Sequence, residues 1–183
     1  KVGSVQERDD EHGIAHYIEH MLFKGTPEHD VGEVSSLIEH MGGDINAYTT
    51  FDHTVIHATV LSEFAADALK LLKQAVLDSI FDAEELENER QVVIEEIKRS
   101  FDDPGSILGH TVLEQVYGGT GYARPIFGTL ESVERLNRQQ IVDFHQRWYQ
   151  PQNMFVVMAG DIAENDAASL IETTFGSVKS NIP

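Results

Sequence analysis

Apolar residues recur at intervals of three and four along most of this chain, which predicts a mainly helical protein. The pattern predicts helices at about residues 12–23, 30–41, 63–79, 83–101, 105–117, 138–149 and 163–174. Shorter runs rich in β-branched residues predict strands at about 45–50, 53–60 and 153–160, with the remnant of another at about 1–5. The predicted fold class is therefore α+β, with an antiparallel or mixed sheet covered by helices.

The length and composition of the chain predict one domain. Its 183 residues, of which 41% are hydrophobic, are enough to bury one sizeable core, and we assign residues 1–183 to a single domain. No run of 18 apolar residues occurs that would predict a transmembrane helix. The absence of cysteine excludes disulfides and thiolate metal ligands.

The net charge of the chain argues against two classes of partner. The chain has 31 acidic and 13 basic residues, which gives a formal net charge of −18. A surface of this sign repels phosphate groups, so we expect neither nucleic acid nor an anionic membrane as a partner.

The clearest chemical motif is H-x-x-E-H at residues 16–20, the pattern of the inverzincins. On a helix, His16 and His20 lie about 40° apart around the axis, and Glu19 lies within about 60° of His16. Two imidazoles on one face can hold a zinc ion, while the carboxylate acts on a metal-bound water. The alternative is a solvated surface helix, but apolar neighbours such as Ile18 and Leu22 favour a half-buried cluster that a cation compensates.

A third ligand has to come from elsewhere in the chain, because catalytic zinc sites usually have three protein ligands. The predicted helix at about 83–101 has Glu89 and Glu96 on one stripe with Leu86 and Val93. Glu95 points about 100° away from Glu96, towards solvent. The stripe makes Glu89 and Glu96 candidates for the site, whereas the alternative is an acidic face that is simply solvated.

Six motifs are spread over nearly the whole chain. They are GIAHYIEHMLFKGT (13–26), GGDINAYT (42–49), ERQVVIEEI (89–97), DDP (102–104), RPIFGT (124–129) and YQPQNMFVVMAGD (149–161). Together they resemble the pitrilysin-type or insulinase-like zinc metallopeptidases, which include the mitochondrial processing peptidases and many bacterial homologues. The similarity is greatest to the N-terminal catalytic domain of the bacterial processing-peptidase-like branch.

This resemblance implies a fold and a set of site residues. The fold would be that of the mitochondrial-processing-peptidase-like metallohydrolase domain. One Zn²⁺ per chain would be held by His16, His20 and Glu96, with Glu19 as the general base. Glu89 would orient one of the two histidines through a ring N–H, as carboxylates behind metal ligands commonly do.

The resemblance also implies a substrate-binding strand. Asn46 and Ala47 would contact the backbone of a peptide substrate that adds to the sheet edge. For Asn46 the alternative is a turn asparagine whose side chain bonds to its own backbone.

The resemblance therefore predicts a zinc-dependent endopeptidase domain that acts on peptides or unfolded segments. We expect the chain to lack its first strand and the second half of a longer protein, and to need a second homologous domain or subunit for full activity. The alternative is a non-catalytic interaction or structural subunit of a peptidase-like assembly. Either the bacterial cytoplasm or the periplasm fits the resemblance.

Overall fold

The computed structural model describes residues 1–179, which form eight helices and one two-stranded antiparallel sheet. The helices are α1 (Ile14–Met21), α2 (Glu33–His40), α3 (Ala65–Leu77), α4 (Ala83–Asp102), α5 (Pro104–Tyr117), α6 (Leu130–Arg135), α7 (Arg138–Trp148) and α8 (Glu164–Phe175). The strands are β1 (Asp44–Thr49) and β2 (Thr54–Thr59), paired so that Asp44 faces Thr59 and Thr49 faces Thr54. The predicted α+β class is confirmed. The predicted domain also includes residues 180–183, which lie outside the described residues.

Two predicted strands are wrong. Near the start of the chain, Ser4–Gln6 forms a 3-10 turn, and the N–H groups of Ser4 and Val5 donate to carbonyls in the β1–β2 turn. Residues 154–159 alternate in exposure, with Phe155 74% exposed and Val157 84% exposed, but no strand of residues 1–179 pairs with them. Their alternating pattern is typical of a strand, and pairing depends on a neighbour that a local pattern does not reveal.

The helix boundaries show where local geometry overrides periodicity. Helix α1 begins at Ile14 rather than near residue 12 because Gly13 has a φ of 91°, which is left-handed and ends the helix on that side. Helix α6 was missed because its six residues are too few to show a period. It is recognisable by its cap, where the Thr129 hydroxyl accepts the N–H of Ser132.

Helix α1 lies in the main hydrophobic core. Its apolar positions Ile14, Tyr17, Ile18 and Met21 recur at the helical interval and are fully or almost fully buried. They belong to a cluster that includes residues of α4 and α7, among them Val93, Ile97, Ile141 and Phe144. A smaller cluster joins α2 to α3 and is formed by Val34, Ile38, Ala68, Leu71 and Ala75. The core therefore fixes which face of α1 points away from it.

Within residues 1–179, none of the helices combines the length and the hydropathy that crossing a membrane requires.

Removing a core side chain of α1 should destabilise the protein strongly. Ile18 is 0% exposed, so Ile18→Ala should lower the free energy of unfolding by about 2–5 kcal/mol, the usual cost of a large-to-small change in a packed core. Leu108 on α5 is 64% exposed, and Leu108→Ala should change it by less than about 0.5 kcal/mol. Urea denaturation of the three proteins measures both values, and equal losses would contradict this description of the core.

Candidate metal centre

Helices α1 and α4 bring three metal-binding side chains together. The Glu96 Oε2 atom lies 3.6 Å from His16 Nε2 and 3.5 Å from His20 Nε2. One nitrogen or oxygen atom from each of the three residues lies within 4.8 Å of the others, and no second group of this kind occurs among residues 1–179. Glu95, the neighbour of Glu96, is exposed and pairs with Lys98 instead. The structure thus brings together the three residues that the sequence analysis selected as ligands.

The spacing of these atoms fits a zinc ion. Zinc binds histidine nitrogen at about 2.0–2.1 Å and carboxylate oxygen at about 2.0–2.2 Å, so tetrahedral ligands lie about 3.3–3.6 Å apart. The two distances from Glu96 to the imidazoles agree with that range. Two imidazole nitrogens and one carboxylate oxygen are also a donor set found in catalytic zinc sites.

Glu89 orients His20 rather than His16. The Nδ1–H of His20 donates to Glu89 Oε2 at 3.1 Å, which leaves the Nε2 lone pair free on the side of Glu96. The other oxygen of Glu89 lies 2.5 Å from the Lys24 ammonium group, so the buried carboxylate has a cation as well as an imidazole to compensate it. Sequence reasoning missed Lys24, which lies four residues after His20 and beyond the end of α1 at Met21.

The His16 ring has a different environment. Burial, reinforced by the nearby His20 ring, lowers the pKa of His16 to about 3. The imidazole is therefore neutral at neutral pH, and the neutral form is the one that binds metals. Its Nδ1 atom is buried and has no hydrogen-bond partner in the described part of the chain. No hydrogen bond of this kind orients His16 as Glu89 orients His20.

The candidate base Glu19 is held by the sheet. The hydroxyl of Thr49, the last residue of β1, donates to Glu19 Oε2 at 2.6 Å. Burial raises the pKa of Glu19 above its ordinary value, while the bond from Thr49 acts in the opposite direction. A raised pKa makes the carboxylate a better proton acceptor near neutral pH. The sequence analysis assigned no role to Thr49, but the alternation of β1 places it on the less exposed face with Ala47.

Asn46 and Ala47 lie on the strand beside this site. Asn46 is exposed, and its Oδ1 atom accepts the backbone N–H of Ala47 at 2.8 Å, which is the local bond that the alternative interpretation describes. Ala47 is half-buried. Among the described residues β1 pairs only with β2, so its other edge is unpaired. The proximity of this strand to Glu19 is established through Thr49, whereas contact with a substrate remains a prediction.

Comparison with known proteins assigns the family. Residues 1–130 match the family model described as Insulinase (Peptidase family M16). The chain belongs to this family. Residues 135–183 match a second model, described as Peptidase M16 inactive domain, and all of the candidate site residues lie within the first match. The resemblance to insulinase-like zinc peptidases is thereby confirmed.

Individual relatives agree with this assignment. An uncharacterized zinc protease of Mycobacterium leprae is 37% identical over 176 residues, which are 96% of this chain and 40% of that protein. The crystal structure of a protease from Helicobacter pylori matches with a TM-score of 0.94 at 30% identity, over 98% of this chain and 44% of that one. The crystal structure of the first half of the periplasmic protease PqqL from Escherichia coli matches with a TM-score of 0.89 at 30% identity, over 98% and 40%. The chain thus spans about two fifths of the length of the curated relatives it matches.

Zinc affinity should depend on Glu96 and should not depend on Glu95. We expect the chain to bind one zinc ion, and Glu96→Ala to weaken the affinity by more than about 100-fold because a direct ligand is lost. Glu95→Ala removes the neighbouring carboxylate, which is exposed, and should leave the affinity unchanged. Competition with a zinc-binding dye measures all three affinities. Equal effects of the two substitutions would contradict the assignment of Glu96.

Proposed function

We propose that this chain is the zinc-binding catalytic domain of an endopeptidase that hydrolyses peptides or unfolded segments. The observation that supports it most is the convergence of His16, His20 and Glu96 on one point, with Glu19 on the same face of α1. These three residues would hold one Zn²⁺ per chain. Membership of the M16 family and relatives named as zinc proteases support the same chemistry.

The proposed mechanism assigns a separate task to each side chain. Bound zinc would polarise the scissile carbonyl and lower the pKa of a water molecule to about 7. Glu19 would accept a proton from the water that attacks the carbonyl carbon and would deliver it to the leaving nitrogen as the C–N bond breaks. Thr49 keeps the Glu19 carboxylate in place during both transfers. Glu89 keeps His20 oriented.

The substrate would bind along the edge of β1 that no strand of residues 1–179 pairs with. An exposed strand edge offers a row of backbone N–H and C=O groups that an extended peptide can pair with. Such binding recognises the peptide main chain and makes little demand on its sequence. Asn46 and Ala47 would be the contacts, and Thr49 places this strand directly beside Glu19. This arrangement suits an enzyme that cleaves unfolded segments.

A second homologous domain or subunit would complete the enzyme. In support, the chain spans only about two fifths of the curated relatives it matches, and one structural relative is described as the first half of a protease. The candidate centre is also only partly covered, since Glu96 is half-exposed. We therefore expect the 183-residue chain to bind zinc but to hydrolyse peptides weakly or not at all by itself.

The second candidate function is a non-catalytic subunit of a peptidase-like assembly. One observation favours it, namely that residues 135–183 match a family model described as inactive. That segment contains none of the candidate ligands and does not contain Glu19, so the match does not count against catalysis by the rest of the chain. A non-catalytic subunit would also have no need for a carboxylate held beside the metal ligands.

Loss of the general base should lower the rate of hydrolysis without changing the zinc affinity. Glu19→Gln should keep zinc affinity but lower the rate of peptide hydrolysis by about 10²–10⁴-fold, the usual contribution of a general base. The rate is measured with an internally quenched fluorescent peptide, using this chain together with its partner domain or subunit. Glu95→Gln, at an exposed carboxylate outside the site, serves as the control and should retain the full rate. An unchanged rate for Glu19→Gln would exclude Glu19 as the base, and no hydrolysis by a completed wild-type assembly would favour the non-catalytic subunit.

A further inference from the structure

The first turn of α1 is held by a buried carboxylate outside the H-x-x-E-H motif. Glu7 is 5% exposed. Its Oε2 atom accepts the backbone N–H of Gly13 and its Oε1 atom accepts that of Ala15, both at 3.0 Å. These are N–H groups at the start of the helix, which have no partner within the helix itself. A single side chain therefore satisfies two of the free donors of α1.

The loop that carries Glu7 is held in place by Arg124. The Arg124 guanidinium donates to the Glu7 carbonyl oxygen at 2.9 Å and to Asp9 Oδ1 at 3.2 Å. The chain just after Arg124 also lies against the start of α1. A Cβ atom added to Gly13 would come within 2.8 Å of the Phe127 carbonyl oxygen. The motif RPIFGT at residues 124–129 thus packs against the N-terminal end of the helix that carries the candidate metal ligands.

Burial affects the Glu7 carboxyl group without removing its bonding role. Desolvation raises the pKa of Glu7 to about 8, while the N–H groups of Ala15 and Gly13 and the charge of Arg124 act in the opposite direction. Each oxygen can accept an N–H bond whether or not the group carries a proton, because both oxygens have lone pairs. The cap is therefore present on either side of neutral pH.

The position of His16 depends on this cap more than that of His20 does. His16 directly follows Ala15, whose N–H bonds to Glu7, and its own Nδ1 atom has no hydrogen-bond partner within residues 1–179. His20 lies one turn further on and is oriented by Glu89. The backbone of the first turn, which Glu7 holds, therefore contributes more to the position of the His16 ring than to that of the His20 ring.

We propose that Glu7 is a positioning residue for the metal centre, acting through the first turn of α1 to place His16 Nε2 opposite Glu96 and His20. This inference rests on the proposed function, because it takes His16 as a zinc ligand. It goes beyond the motif by assigning a task to a carboxylate nine residues before that ligand.

A pair of buried carboxylates in the same loop provides a matched test. Glu11 is also 5% exposed, but its side chain bonds to Arg147 at 2.6 Å and to the N–H of Arg8 rather than to α1. We expect Glu7→Ala to weaken zinc affinity by about 10-fold or more, in the range of other residues that position ligands. Glu7→Gln keeps one acceptor oxygen and should lose less. Glu11→Gln should lower the thermal midpoint while leaving the zinc affinity within about twofold of the wild type.

The measurement is zinc affinity by competition with a chelating dye, at a temperature where circular dichroism shows each variant to be folded. A merely stabilising role would lower the thermal midpoint of the Glu7 variants and leave their zinc affinity unchanged, which would overturn the proposal. An equal loss of affinity in Glu11→Gln would overturn it as well. If neither Glu7 variant folds, Arg124→Gln replaces them, since it frees the Glu7 backbone but keeps the carboxylate. An unchanged zinc affinity in Arg124→Gln would then overturn the proposal.

The zinc-affinity measurement distinguishes failure of the proposed function from failure of the positioning role of Glu7. A folded wild-type chain that binds no zinc would contradict the proposed function itself. A wild-type chain that binds zinc, with Glu7 variants that bind it equally well, would contradict only the positioning role of Glu7.

Discussion

Burial of one face of α1 is the constraint on which the candidate metal centre depends. Ile14, Ile18 and Met21 can enter the core only if α1 has one particular rotation about its axis. That rotation turns His16 and His20 towards α4, because residues spaced by four share a face of the helix. Apolar packing thus sets the direction of the polar groups. The core residues on α4 in turn place Glu96 opposite the imidazoles.

The polar face created in this way is half-buried and rich in acidic groups, and its charges are compensated in two ways. Glu89 lies between His20 and Lys24, so its charge is balanced by groups of the protein itself. In the described residues, the imidazoles of His16 and His20 are the only basic groups that pair with Glu96, and no basic side chain forms an ion pair with Glu19. Burial keeps the His16 imidazole neutral. A divalent cation would balance these carboxylates, which is why the site suits a metal better than it suits an empty polar cleft.

Much of the site could be predicted from sequence because its members share helical stripes. His16 and His20 are four residues apart on one helix. Periodicity favoured Glu89 and Glu96 over Glu95, because both lie on the stripe of Leu86 and Val93, and the resemblance to the family then singled out Glu96 as the ligand. Thr49 and Glu7 could not be found in this way, because each acts on α1 from a different element and their contacts exist only after folding. For the same reason the pattern at about 153–160 predicted a strand, although a strand also requires a paired neighbour.

The central claim is that His16, His20 and Glu96 form a zinc site with Glu19 beside it. The most direct test is a crystal structure of the chain grown with zinc, with diffraction data collected on both sides of the zinc absorption edge. We expect one strong anomalous peak at about 2.0–2.2 Å from His16 Nε2, His20 Nε2 and a carboxylate oxygen of Glu96. Zinc peaks found only at other surface groups, with no peak between these three residues, would contradict it.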